Sequence, residues 1–222
     1  MSVYITESAA TDKHTGCFTG QSKVVLEDGR QKNMSQVTVG DRIQSVDAQG
    51  NIVYSEVLMF LDREPEEKTR FVNLKTEDGA SLTLTAPHLV YAGAPDCWDI
   101  QCMSPVYAGN VEKGQNLMVR EKSLVASPVL SVTSSHQTGV FAPLTRAGNL
   151  VVDGVLASCY AVIDSQSIAH AAFAPVRWYY SLAASLGGSS QPRTVLRPTG
   201  VHWYPNLLYS LARLVVPGHL VL

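Results

Sequence analysis

Ser81-Leu82-Thr83-Leu84-Thr85 alternates polar and apolar side chains strictly, and the run stops at Ala86-Pro87-His88. A period of two sends Leu82 and Leu84 to one face and the hydroxyls to the other, the pattern of a half-buried strand. Much of Ile52 to Phe60 reads the same way, and before Asp164 no window of comparable length keeps helical spacing. Short runs rich in Val, Leu, Ile and Thr are separated by turn signals at Asp28-Gly29, Gln49-Gly50 and Asp78-Gly79. The stretch from Cys17 to Asp164 therefore reads as all-β.

The β region also repeats. Val37-x-x-Gly40-x-x-Ile43 followed by Ser55-x-Val57-Leu58 recurs as Val111-x-x-Gly114-x-x-Leu117 followed by Ser127-x-Val129-Leu130. Thr76-x-x-Gly79-x-x-Leu82 has a looser echo in Thr145-x-x-Gly148-x-Leu150. Two fused copies of one β unit, roughly 70 residues apart, can pack about a pseudo-twofold axis. That packing would bring together the start of the chain, the end of copy one and the end of copy two.

After Asp164 the character changes. Residues Ser165 to Leu222 contain no Asp or Glu, and all nineteen acids lie earlier. Ser167 to Leu186 and Trp203 to Val216 have helical length and spacing, broken by Gly187-Gly188-Ser189-Ser190 and Arg197-Pro198-Thr199-Gly200. Aromatics such as Trp178, Tyr179, Trp203 and Tyr204 beside Arg suit either a surface meeting lipid head groups or a flat apolar ligand, or simply two helices docked on the β domain.

The whole chain of 222 residues carries a formal charge of −2 and no long basic run, which argues against nucleic-acid binding. Arg213 and Pro217 interrupt the most apolar part of the tail, so no bilayer-spanning segment is expected. The opening residues lack the apolar core of a signal peptide, so any secretory address is expected upstream. The four cysteines, at 17, 97, 102 and 159, show no paired C-x-x-C spacing, and no metal site is expected. Cys97 and Cys102 read either as a small disulfide loop or as free thiols.

Chemistry concentrates at two places. Cys17 directly follows Gly16, and a glycine leaves its carbonyl open to attack by the thiol of the next residue. Thr85 and His88, three apart past the end of a strand, put a hydroxyl and an imidazole within reach of one small group. An N-to-S acyl shift requires such a pair, because the amide is more stable than the thioester and the departing nitrogen must gain a proton. His88 is suited to give that proton near neutral pH, where an ordinary imidazole titrates, and Thr85 to hold the scissile backbone. Asp62, within Asp62-Arg63-Glu64, reads on its own as a solvated turn acid.

Gly16-Cys17-Phe18-Thr19-Gly20, Val39-Gly40-Asp41-Arg42, Tyr54-Ser55-Glu56-Val57, Phe60-Leu61-Asp62-Arg63, Leu84-Thr85-Ala86-Pro87-His88-Leu89, Ala142-Pro143-Leu144-Thr145, Ala157-Ser158-Cys159-Tyr160 and His202-Trp203-Tyr204 together resemble the C-terminal autoprocessing region of Hedgehog precursors. The resemblance implies a mainly β Hint fold, shared with inteins and internally duplicated, followed by a short helical tail. It divides the chain into a linker at 1 to 16, a Hint domain at 17 to 164 and a sterol-recognition region at 165 to 222.

The same resemblance implies cleavage of the Gly16–Cys17 bond through a Cys17 thioester, driven by Thr85 and His88, and transfer of the upstream acyl group to cholesterol. Asp62 would serve the attack of the sterol hydroxyl, as a base that takes its proton. Cys159 would lie near the nucleophile in a redox or supporting role, or as a buried strand cysteine. Cholesterol is then a co-substrate and no cofactor is needed. The implied partners are a membrane surface met by the tail and a signalling domain upstream in cis. The implied location is the endoplasmic reticulum lumen, with the released fragment secreted or held at the cell surface. An intein-like element shares Cys17, Thr85 and His88, but splicing needs a terminal His-Asn pair where this sequence has His219-Leu220-Val221-Leu222. A non-enzymatic binding module would explain the tail and leave the Gly-Cys and T-x-x-H pairing to coincidence.

Overall fold

The structure, a computed structural model, describes residues 16 to 161. The helical tail expected after Asp164 and most of the leading linker lie outside the described residues. The described residues form twelve strands: β1 Phe18–Thr19, β2 Lys23–Val25, β3 Gln31–Asn33, β4 Arg42–Val46, β5 Ile52–Thr76, β6 Ser81–Leu84, β7 His88–Gly93, β8 Ser104–Tyr107, β9 Asn116–Arg120, β10 Leu124–Thr145, β11 Asn149–Val152 and β12 Val155–Ala161. Short 3-10 turns at Met34–Gln36, Ile100–Cys102 and Ala108–Asn110 complete the regular structure.

The alternation read in the sequence has a direct outcome. β6 buries Leu82 and Leu84 completely and turns Ser81 and Thr83 outward. The turns expected at the three Gly pairs are present, with Gly29, Gly50 and Gly79 at φ of 83°, 86° and 94°, a region that side chains other than hydrogen enter only with strain.

The repeat is reproduced down to single hydrogen bonds. Gly40 N–H donates to the Val57 carbonyl and Val57 N–H to the Asp41 carbonyl; Gly114 donates to Val129 and Val129 to Gln115. In both copies this ties the residues after a 3-10 turn to the strand that follows the next hairpin, with the glycine at φ of 92° and 90°. Likewise Thr76 Oγ1 donates to the Ala80 carbonyl and Thr145 Oγ1 to that of Asn149, closing equivalent turns.

The copies also exchange contacts. Ser55 Oγ of copy one accepts from Ala147 N–H of copy two, and Ser127 Oγ of copy two donates to Asp78 Oδ1 of copy one. The long strands β5 and β10 run antiparallel from Thr76 opposite Val129 to Val57 opposite Thr145 and tie the two halves together. Their ladder is interrupted at Ala142/Pro143, where the proline cannot donate a ladder bond.

This topology leaves a gap in the middle of the sheet, and β1 fills it. Phe18 is paired with Phe141 of β10 on one side and Leu84 of β6 on the other. The residue just before β1, Cys17, is thereby fixed at the centre of the fold, between the end of β6 and the end of β10. Phe18, Leu84 and Phe141 belong to one buried apolar cluster that spans both copies, together with Leu117, Leu144 and Tyr160.

Candidate active site

Thr85 grips Cys17 at two points. Its N–H donates to the Cys17 carbonyl at 2.9 Å, and its Oγ1 accepts from Cys17 N–H at 2.8 Å. The hydroxyl therefore sits on the nitrogen of the Gly16–Cys17 bond. The β6 ladder ends here because Pro87 offers no N–H, and the chain turns back so that His88 N–H donates to the Thr85 carbonyl. Thr85 and His88 are both fully buried.

Gly16 has φ of 75°, the left-handed region where any Cβ is strained. The backbone preceding Cys17 thus requires the glycine found there.

The Cys17 side chain enters a small apolar cluster with Phe71, Val140, Ala142 and the partly buried Leu61. One polar group reaches it there: Cys17 Sγ lies 3.7 Å from Asp62 Oδ2, with the thiol donating. Burial, then the Asp62 charge and its hydrogen bond, push the thiol well above its ordinary 9.0. At rest Cys17 is a neutral thiol beside the side chain of Asp62. Asp62 is only 4% exposed and lies within β5 opposite Ala142, so it is a strand residue and not the solvated turn acid its neighbours suggest. Arg63, the next residue, points to the other face, where its guanidinium donates to the carbonyls of Val37 and Ser35 and stacks near Phe60 and Phe141.

His88 is packed against Phe18, with ring centroids 4.2 Å apart. Its Nε2 lies 2.9 Å from the Ser158 carbonyl, an acceptor only, so Nε2 carries the hydrogen. Nδ1 has no hydrogen-bond partner among the described residues. Burial lowers the ring's pKa from 6.5 to about 4, against the smaller opposing effects of the Ser158 and Gly16 carbonyls. The Gly16 carbonyl is thus close enough to favour a charged ring without meeting hydrogen-bond geometry. This corrects the expectation of an imidazole titrating near neutral pH: desolvation keeps His88 neutral at rest.

Cys159 is buried within the large core, its Sγ 3.4 Å from both Thr145 N and Thr145 Oγ1. It and Cys17 are both free thiols, packed in different apolar clusters. The two readings left open for Cys97 and Cys102 are resolved as a disulfide. Asn116 Nδ2 braces that loop by donating to the carbonyls of Pro95 and Cys97.

Cys17, Asp62, Thr85 and His88 thus converge, brought from the start of the chain, the middle of β5 and the end of copy one, with Ser158 added from the end of copy two. Trp178, Tyr179, Trp203 and Tyr204 lie outside the described residues. Sequence reasoning missed Ser158, because a main-chain carbonyl leaves no signature in residue type. It also missed Phe18 as the wall of the imidazole.

A duplicated β fold that centres a Gly-Cys peptide bond beside a threonine and a histidine defines a Hint module. The chain belongs to the Hint module family, whose model matches residues 5–217. In sequence it is similar to hedgehog proteins. It is 38% identical to Sonic hedgehog protein of Danio rerio over 97% of this chain and 53% of that protein. It is 40% identical to Protein hedgehog of Drosophila melanogaster over 95% of this chain and 46% of that protein. The chain therefore spans about half the length of these relatives.

Among solved structures, the fold is similar to Ssp DnaB mini-intein variant M86, with a TM-score of 0.55 and 16% identity over 70% of this chain and all (100%) of that one. It is similar also to a KlbA intein precursor from Methanococcus jannaschii, with a TM-score of 0.54 and 13% identity over 68% of this chain and 95% of that one.

Proposed function

We propose that this chain cuts its own Gly16–Cys17 bond through a thioester on Cys17 and passes the upstream acyl group to a sterol hydroxyl. The observation that carries the reading is that one residue, Cys17, has its amide nitrogen on Thr85 Oγ1 and its thiol beside Asp62 Oδ2.

In the first step the sulfur attacks the Gly16 carbonyl carbon, the C–S bond forms and the S–H proton leaves. Asp62, the carboxylate nearest the thiol, is placed to take it. The C–N bond then breaks and the nitrogen of Cys17 becomes an amine, which needs a proton. His88 acts here: the proton released by the thiol passes from Asp62 to the ring, and a ring lowered to about 4 is a strong acid once protonated, so it hands that proton to the departing nitrogen and leaves Asp62 ionised and His88 neutral again. Thr85 Oγ1 holds the nitrogen, which helps it leave planarity as the bond weakens.

In the second step the sterol oxygen attacks the thioester carbonyl and its proton passes to Asp62; the C–S bond then breaks, and the departing Cys17 sulfur takes that proton to become a thiol again. One carboxylate thus serves both steps, since the same acyl carbon is attacked from the same side chain's surroundings. The acid-free segment carrying Trp178, Tyr179, Trp203 and Tyr204 is assigned to holding the sterol and meeting the membrane surface. A rigid apolar ligand draws several kcal/mol from such contacts at roughly 25 cal/mol per Å² buried.

The relatives and the disulfide support a setting for this reaction. Similarity to hedgehog proteins supports a signalling domain upstream in cis and passage through the secretory pathway, with the reaction in the endoplasmic reticulum lumen. The Cys97–Cys102 disulfide suits an oxidising compartment of that kind. The test is the mass of the piece released with and without cholesterol. A peptide ending at Gly16 as a cholesterol ester supports the reading; a free acid in both reactions would leave an intein-like cleavage without sterol transfer.

A further inference from the structure

We propose that Ser158 is a positioning residue that selects Nδ1 as the working nitrogen of His88. The proposal rests on the reading of His88 given above and concerns how its ring is held. Between Ala157, opposite Val90, and Ala161, opposite His88, β12 advances four residues while β7 advances two. An irregularity of this kind releases main-chain groups from the ladder and re-aims them. The released carbonyl of Ser158 meets His88 Nε2 at 2.9 Å.

The bulge is pinned by its own side chain. Ser158 Oγ accepts from Tyr160 N–H at 3.0 Å, while Cys159 N–H donates to the Gly148 carbonyl at 3.0 Å. Ser158 is fully buried, so water does not substitute for its hydroxyl. Without it, the Tyr160 N–H to Ser158 Oγ bond that pins the bulge is lost and the segment can fall back toward regular pairing, turning the carbonyl away.

The consequence falls on the tautomer. A carbonyl only accepts, so Nε2 must carry the hydrogen and the neutral ring keeps its lone pair on Nδ1. Nδ1 has no partner among the described residues and is left to take and return the proton of the acyl shift. The serine thereby makes His88 a competent carrier without touching the reacting atoms.

The test combines a spectrum with a rate. The full chain carrying Cys17→Ala stays uncut, and ¹⁵N-labelled His88 in it reports its tautomer directly by long-range ¹H–¹⁵N correlation at pH 7. The proposal requires Nε2–H in that chain; an Nδ1–H tautomer overturns it whatever any variant does. Adding Ser158→Ala should give mixed tautomers, and Ser158→Thr, which keeps the hydroxyl, should restore Nε2–H. With Cys17 present, Ser158→Ala should slow thiol-induced cleavage about three- to tenfold, the worth of one ordinary hydrogen bond, and Ser158→Thr should recover most of it. Slowed cleavage with an unchanged tautomer would overturn the proposal in favour of a general packing role. Normal cleavage in His88→Ala would sink the reading of His88 itself, while the spectrum still decides how the ring is held.

Discussion

Replacing Asp62 by Asn should separate the two steps of the reaction. The carboxylate has two opposing effects on thioester formation. It is the base nearest the Cys17 thiol, and a positioned general base contributes typically 10²- to 10⁴-fold, about 3 to 5 kcal/mol. It also suppresses the other route, attack by a thiolate that has lost its proton elsewhere: Sγ and Oδ2 are 3.7 Å apart, and at an effective dielectric of about 20 two unit charges at that separation repel by about 4 kcal/mol. Asn removes both, and because they are of similar size the thioester should form within about tenfold of the normal rate. The sterol step has no such compensation, since an alcohol in place of a thiol gains nothing from relief of the thiolate and loses its base outright. The expected result is near-normal release of the leading peptide by added thiol and a 10²- to 10⁴-fold loss with cholesterol in detergent, both followed by gel and mass. Equal loss in the two reactions would refute the reasoning and return Asp62 to a role in folding or in the acyl shift alone.

His88 makes the fold sensitive to acid in a defined window. Its folded pKa of about 4 lies below the unfolded 6.5, so the folded chain binds fewer protons between those values. Its contribution is fully present above pH 6.5 and is lost as pH falls to 4, by about 3 kcal/mol in all. In the uncut Cys17→Ala chain, urea melts at pH 7 and pH 4.5 should show a smaller acid loss when His88→Gln is added; an unchanged loss would assign the effect to other groups. Thr85→Val keeps the shape and the main-chain bond to Cys17 but removes the acceptor from a buried N–H, so it should lower stability by about 1 to 3 kcal/mol and slow thiol-induced cleavage by ten- to a hundredfold. Unaltered cleavage would take Thr85 out of the chemistry. A chain ending at Asp164 should keep thiol-induced cleavage and lose cholesterol-induced cleavage, and retained sterol transfer at full rate would place the sterol site in the β domain.

The sequence carried the fold in its periodicities. Leu82 and Leu84 alternate because one face of β6 is buried, and Gly40 and Gly114 recur because each copy needs a positive φ at the same turn. The convergence of three chain segments was legible too, once the repeat was seen as a pseudo-twofold pair. What escaped was whatever depends on depth. Asp62 looks solvated beside Arg63 and Glu64, yet strand geometry sends Asp62 and Arg63 to opposite buried faces, one to the Cys17 thiol and one to the Val37 and Ser35 carbonyls. His88 carries no mark in the sequence of the desolvation that moves it from 6.5 to about 4. Ser158 contributes through its carbonyl, which every residue has, and its signal is the two-residue slip of β12 against β7 that only pairing reveals. The pairing of Cys97 with Cys102 likewise required the loop geometry that Asn116 enforces.

The proposed reaction breaks the Gly16–Cys17 bond by way of sulfur. The most direct measurement is to incubate the chain with a small thiol at neutral pH and weigh the products, beside the same chain carrying Cys17→Ala. The expected products are a peptide of residues 1 to 16 joined to the thiol as a thioester and a complementary fragment beginning with a free Cys17 amine, with an intact mass in the Cys17→Ala chain. Cleavage after Gly16 in the Cys17→Ala chain, or a cut at any other bond in the original, would contradict it.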